Sequence, residues 1–311
     1  MSLLSEGQIK DYKRDGVILV KNLIDSRWQR KIAGAIEEVS KNKSVISKFI
    51  SGKNNGDFFG DIDMWFKNDD FFEFMLHSPC ASYAKEILGS KKVRHFYDQI
   101  FVKPAGCHLP TPWHHDITFW PVHLEKNNLC SIWITLDEVS KDSSGLEFIK
   151  GSHNWNKYWK SYAPGNDSLV SLDHEDLPDI DLLRDQHEFF SPNMKPGDAL
   201  IFNAYIVHGA SQNYSTNKPR RAFTSRWSDD KTVFENREKT KPILINHGLK
   251  TGDFLSGSLF PQVLPNTIEQ EINIRKKGPF KINNAKIITS VIYKDFKNFL
   301  KDNFRKTFLL K

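Results

Sequence analysis

The chain has 311 residues, 39% hydrophobic, 13% aromatic and 26% charged, with a formal net charge of +6. Such a chain can bury a large core in one big domain or two ordinary ones, and its balance is that of a soluble globular protein. It argues against a membrane span, which needs roughly 18 uninterrupted apolar residues, and against a nucleic-acid partner, because its basic residues are spread among acids without a helix-turn-helix, zinc-finger or RNP pattern.

In chain order, "SEGQIKDYKRDG" followed by "VILVKNLI" reads as a short capped helix and then a buried strand. The apolar spacing of "SRWQRKIAGAIEEVSKN" and of "PCASYAKEILGS" suits two more helices. Between them "SGKNNGDFFGDIDMWFKNDD", rich in Gly, Asn and Asp, reads as a long loop. From about residue 92 the character changes. "KVRHFYDQIFVKP", "PWHHDITFWP", "LCSIWITLDEV", "GLEFIKGSH", "GDALIFNAYIVHGAS" and "RRAFTSRWSD" are β-branched or aromatic runs punctuated by the turns "KPAG", "KDSSG" and "KPGD". Short strands at this density predict a sandwich or barrel, mainly β with flanking helices. From about residue 285 the pattern is helical again, with Ile292, Phe296, Phe299, Leu300, Phe304 and Phe308 on one face. We expect one domain over 1–311: a helical layer at 1–91, a β-core at 92–230 and a C-terminal extension at 231–311.

Cys80, Cys107 and Cys130 match no zinc spacing and leave one cysteine over from any disulfide. The first residues lack the basic start and apolar run of a signal peptide. A reducing cytoplasm is the expected location.

The stretch "PTPWHHDITFWP", residues 110–121, sets two histidines and an aspartate among aromatics and prolines. In a strand, residues i and i+2 share a face, so His114 and Asp116 project together and His115 points away. An imidazole beside a carboxylate forms two thirds of a 2-His-1-carboxylate triad, which leaves open positions on iron(II). The third ligand must come from elsewhere. His208 is the best placed of the eleven histidines, at the end of an apolar strand and beside a glycine, although a hydrogen-bonded core histidine would look the same. Further on, Arg220 and Arg221 fall on opposite faces of the next strand. An inward guanidinium offers a planar fork for a carboxylate, against the commoner outcome of an exposed ion pair.

Over roughly residues 5 to 230 the chain resembles the phytanoyl-CoA dioxygenase family of iron(II)- and 2-oxoglutarate-dependent oxygenases. The resemblance rests on "VKPAG…TPWHHD", "SIWITLDEVSKDSSGLEFIKGSH" and "KPGDALIFNAYIVHGASQNYSTNKPRRAF", in that order and spacing. It implies a double-stranded β-helix, the jelly-roll or cupin-like core. It implies Fe(II) held by His114, Asp116 and His208, and 2-oxoglutarate as co-substrate with its distal carboxylate on Arg220. Gln99 and Trp133 fall where members line the co-substrate pocket. Lys150 replaces the proline of the family's Pro-Gly-Ser-His turn. Ala210 stands where several members place a serine that helps bind 2-oxoglutarate, which leaves Thr135 and Thr224 as substitutes. Related halogenases lack the metal-binding acid. Asp116 is present here, which favours hydroxylation of a small-molecule C–H bond, with O2 consumed, succinate and CO2 released, and ascorbate as reductant in vitro.

Two rival readings stand beside this one. A non-oxidative metal enzyme could use the same ligands to activate water. A jelly-roll protein could bind a metal or small molecule without catalysis. The first leaves Arg220 without a purpose, and the second does not need a triad with open positions.

Overall fold

The computed structural model describes residues 2–42, 47, 58–160, 174–237, 240–241 and 247–277. The helix expected from about residue 285 lies outside the described residues. Helix α1 (Glu6–Asp15) starts with a capping box, in which Gln8 N donates to Ser5 Oγ (3.1 Å) and Ser5 N to Gln8 Oε1 (3.0 Å). Gly16 ends it in the left-handed region, and strand β1 (Val17–Val20) follows at once. Helix α2 (Ser26–Lys41) is capped by Asp25 and buries Trp28, Ile32, Ala35 and Ile36, one stripe at helical spacing.

The expected long loop is more ordered at its end than its composition suggests. Strand β2 (Phe59–Ile62) and a short 3-10 turn (Met64–Phe66) occupy it, leading into α3 (Asp69–His77) and α4 (Cys80–Leu88). Buried Asp98 accepts from Met64 N (2.5 Å) and Trp65 N (3.0 Å), so a tertiary contact organises a segment whose polar residues favour no regular structure.

The strands that follow are β3 (Val93–Lys103), β4 (Thr111–His114), β5 (Leu129–Thr135), β6 (Leu146–Ile149), β7 (Phe189–Phe190), β8 (Ala199–Asn203), β9 (His208–Ala210) and β10 (Arg220–Ser228). Strand β11 (Gln262–Leu264) and helix α5 (Ile268–Lys277) complete the described chain. A seven-stranded antiparallel sheet has the order β1-β8-β5-β10-β3-β11, with β2 also on β3, and a four-stranded sheet has the order β4-β9-β6-β7. From β3 to β10 the chain passes back and forth between the two sheets. This is the jelly-roll topology of a double-stranded β-helix, mainly β with flanking helices.

Side-chain alternation divides the core. Ile132, Ile134, Ile201 and Phe223 face outward and pack with Trp28, Ile32, Phe71 and Phe74 of the helices. Trp133, Leu200, Phe202 and Ala222, their neighbours in sequence, face inward against Leu146, Phe148 and Ile206 from the small-sheet side. The wide sheet is thus buried on both faces, which explains why "LCSIWIT" and "DALIF" are nearly continuous apolar runs.

Two expected strands are shorter than their sequences imply. "GDALIFNAYIVHGAS" is two strands in different sheets, β8 and β9. Asn203 breaks it: its Oδ1 accepts from Tyr205 N (2.9 Å) and its carbonyl from Ile206 N (3.2 Å), an Asx-type turn. His208 therefore opens a strand rather than closing one. "PWHHDITFWP" is extended only to His114, after which Ile117–Phe119 form a 3-10 turn held by Ile117 N donating to Ala204 O (3.1 Å).

Candidate metal and co-substrate site

His114 ends β4 and His208 begins β9, and the two are paired directly across the small sheet. Their rings lie 4.3 Å apart between centroids. Asp116 is not on the strand: its backbone is helical, at the start of the 3-10 turn. The strand argument for His114 and Asp116 is therefore corrected. A turn, rather than the two-residue period of a strand, brings the carboxylate back beneath the imidazole. One donor atom from each of His114, Asp116 and His208 lies within 4.8 Å of the others. His114 Nε2 is 3.8 Å from Asp116 Oδ1.

Backbone carbonyls set the tautomers. His114 Nδ1 donates to Pro112 O (2.8 Å) and His208 Nδ1 to Ile206 O (3.0 Å). A carbonyl only accepts, so Nδ1 of each ring carries a proton and Nε2 is the ring atom that would bind a metal. Burial pulls His208 down to about 3, which keeps it neutral. Burial would raise Asp116, but the Arg226 guanidinium and the histidines hold it below the ordinary carboxylate range. Two imidazoles and one carboxylate are the donor set that a divalent first-row cation takes.

His115 points away, as the sequence suggests. It is buried, and its Nε2 accepts from Trp159 N (3.1 Å), with burial drawing it down to about 4. His108 lies in a turn with Nδ1 3.4 Å from Gln212 Oε1, and His153 donates to Lys13 O (3.2 Å) at the end of α1. Trp120 is fully buried and donates to Tyr97 Oη (2.8 Å), a packing role.

The wide sheet supplies the facing wall. Arg220, Ala222, Thr224 and Arg226 alternate along β10 on its inner face. Thr224 is opposite both Gln99 on β3 and Trp133 on β5. Arg220 is 2% exposed, with its guanidinium carbon 5.8 Å from the Trp133 ring. Arg221 turns outward to Asp137 (2.8 Å) and Glu37 (3.4 Å). Of the two hydroxyls considered as substitutes at Ala210, Thr135 is engaged in a turn with Asp137 O (2.8 Å), whereas Thr224 Oγ1 has no partner among the described residues.

Two inner-wall cations were not singled out from sequence. Lys103, 1% exposed, stands directly opposite Arg220 and donates to Thr111 Oγ1 (3.2 Å), Ser144 Oγ (2.9 Å) and Ser211 O (3.2 Å). Burial, with Arg220 adding to it, brings its ammonium down to about 6. Arg226 faces Asp116 across the barrel. Its spacing of six from Arg220, even and therefore same-faced in a strand, is the signal that could have found it.

Several buried atoms along this lining lack partners among the described residues: Asp116 Oδ2, Arg220 Nε, Arg226 Nε and Nη1, Ser131 Oγ and Thr224 Oγ1. Unsatisfied polar atoms are rare inside a fold and costly there. Their gathering around the triad and the inner arginines fits a site shaped for a metal and a polar anionic ligand.

Comparison with known proteins bears on the family and the fold. The chain is 23% identical over 231 residues to ectoine dioxygenase of Bordetella bronchiseptica, covering 68% of this chain and 71% of that protein. The non-haem α-ketoglutarate-dependent carbocyclase SnoK from nogalamycin biosynthesis superposes with a TM-score of 0.66 at 22% identity, over 84% of this chain and 96% of that one. The epimerase SnoN, in complex with Fe3+, α-ketoglutarate and nogalamycin RO, also gives 0.66, at 19% identity over 83% and 98%. The family model for phytanoyl-CoA dioxygenase (PhyH) matches residues 12–222, from within α1 to the first three residues of β10. On that match the chain belongs to the phytanoyl-CoA dioxygenase family.

Proposed function

We propose that this protein is an iron(II)- and 2-oxoglutarate-dependent dioxygenase that hydroxylates a C–H bond of a small molecule and releases succinate and CO2. One observation carries the reading: two histidines of the small sheet and a carboxylate from the turn after β4 gather as a triad, and a pair of buried basic side chains, Lys103 and Arg220, lines the wide sheet. A metal hydrolase needs the first and has no use for the second.

In this reading His114, Asp116 and His208 hold the iron, which when bound supplies the redox chemistry that activates O2 at the expense of the 2-oxo acid. Every other task falls to the chain. The carbonyls of Pro112 and Ile206 fix the two imidazoles so that Nε2 faces inward. Arg220 and Lys103 bind the distal carboxylate of 2-oxoglutarate, giving a charge-assisted, oriented contact. Trp133 walls the co-substrate, Gln99 donates its amide N–H, and Thr224 supplies the hydroxyl that Ala210 cannot. Phe148 and Phe202, with ring centroids 5.5 and 5.1 Å from His208, exclude water from the inner side.

The test is oxygen-dependent succinate formation. Purified protein with iron(II), ascorbate, O2 and 2-oxoglutarate should release succinate slowly alone and faster with its substrate. No succinate from iron-loaded protein across a metabolite panel would overturn the proposal, and turnover indifferent to oxygen would point to a hydrolase.

A further inference from the structure

Neither the metal ligands nor the co-substrate contacts above use Arg226. It lies on the inner face of β10, opposite Ser131 and Tyr97, and is 4% exposed. The rings of Tyr97 and Trp120 enclose it, with its guanidinium carbon 4.3 and 5.7 Å from their centroids. A buried guanidinium is costly unless its charge is matched and its N–H groups are used. The one ion pair Arg226 makes among the described residues is with Asp116, Nε to Oδ2 at 3.7 Å. Neither of those two atoms has a hydrogen bond of its own, while Asp116 Oδ1 is turned to His114. The carboxylate thus offers one oxygen to the metal cluster and the other to the arginine. On its far side, Arg226 Nη2 donates to Gln99 Oε1 (3.3 Å).

We propose that Arg226 is a positioning residue that holds the outer oxygen of Asp116, so that a single carboxylate oxygen is presented to iron(II), and ties that carboxylate to Gln99. The proposal rests on the metal site argued above but not on the oxygenase reaction. Two consequences follow from the chemistry of the fork. A guanidinium only donates, so the Gln99 oxygen must face it and the Gln99 NH2 is left to donate to the co-substrate. Lysine, a point charge, could reach one of the two acceptors but not hold both. A direct contact with the primary substrate is disfavoured, because the unused Nη1 is sealed from solvent.

The experiment measures iron(II) binding anaerobically, without co-substrate, in the full chain carrying Arg226→Ala, Arg226→Gln or Arg226→Lys. Circular dichroism and thermal unfolding identify the folded variants. Arg226→Ala should weaken iron(II) binding by about 10–100-fold, the range for loss of an outer-shell partner, and Arg226→Lys should fall between it and the natural protein. The nitrosyl adduct of the iron(II) form should change its electron paramagnetic resonance line shape in the Ala variant, since the carboxylate is then free to rotate. Natural iron(II) affinity with an unchanged line shape in Arg226→Ala would overturn the proposal. If that variant does not fold, the same result in Arg226→Gln would overturn it. A Lys variant no better than the Ala variant would also overturn it, marking general damage to the barrel instead. A natural protein that binds iron(II) but yields no succinate would end the oxygenase reading and leave this test intact.

Discussion

Lys103 and Arg220 are cross-strand partners on the inner face of the wide sheet, two buried basic side chains side by side. Neither has a carboxylate within ion-pair distance among the described residues, since Asp137 is taken by Arg221. Two like charges set directly opposite would destabilise a sheet, and burial removes the water that would screen them, so burial and Arg220 together favour the neutral amine of Lys103. An anion bound beside the pair would favour its protonation.

This gives a signed pH prediction. Burial, with Arg220 beside it, holds Lys103 near 6 among Thr111, Ser144 and Ser211. A dianion beside it raises that value. At pH 7.5, therefore, 2-oxoglutarate binding should take up a proton, and affinity should fall as pH rises above about 6, by up to tenfold per unit. Calorimetry in two buffers of different ionisation enthalpy measures the uptake. Lys103→Met should abolish it, and an equal binding enthalpy in both buffers for the natural chain would refute the assignment.

Arg220→Ala removes the fork proposed to meet the distal carboxylate, a charge-assisted contact worth roughly 1.5–3 kcal/mol. The apparent KM for 2-oxoglutarate should rise by about one to two orders of magnitude, at about 1.4 kcal/mol per tenfold. Arg220→Lys should recover part of it. Arg221→Ala should leave that KM alone, because Arg221 is spent on Asp137 and Glu37, and should cost at most about 1 kcal/mol of stability. Steady-state kinetics on both variants decides the assignment.

Asp116→Ala should abolish iron-dependent turnover, because one of three protein ligands disappears. His115→Ala should keep its iron affinity yet lose stability, since Trp159 N is left buried without its acceptor, at a cost of roughly 1–3 kcal/mol. Iron titration and thermal unfolding separate the two effects. Loss of iron in the His115 variant, with retention in a His114 variant, would reverse the ligand assignment.

The "KPGD" turn makes a purely structural prediction. Gly197 has φ +90°, and a Cβ there would stand 2.2 Å from Gln29 Nε2 and 2.7 Å from Ile24 O. Gly197→Ala combines left-handed strain with a clash against backbone, so it should destabilise the fold by roughly 1–3 kcal/mol, read by denaturant unfolding. Iron affinity in the surviving folded fraction should be unchanged.

What could be read from the sequence followed from local chemistry. The cap of the first helix, the helical stripe of α2 and the alternation along β10 are short-range signals, and each is present in the fold. His114, Asp116 and His208 were also named from sequence, although the reason given for the first two was a strand that in fact stops at His114. The break at Asn203 was hidden because apolar residues continue through it into the other sheet. Lys103 was hidden for a different reason. Its meaning comes from the register that sets it opposite Arg220, more than a hundred residues away in the chain, and register is a property of the folded pair.

The split of ligands between the two layers has a mechanical side. In the proposed site the two imidazoles hang from the four-stranded sheet, Asp116 from the turn after β4, and Arg220 and Lys103 from the seven-stranded sheet. The gap between iron and anchor is then the thickness of the interior, filled by Phe148, Phe202, Leu200 and Trp133. Phe148 offers no ligand atom, yet its ring stacks on that of His208, and shaving it would let the layers settle closer. The enzyme would then lose its gauge before it lost any ligand, spending 2-oxoglutarate without a matching yield of oxidised product.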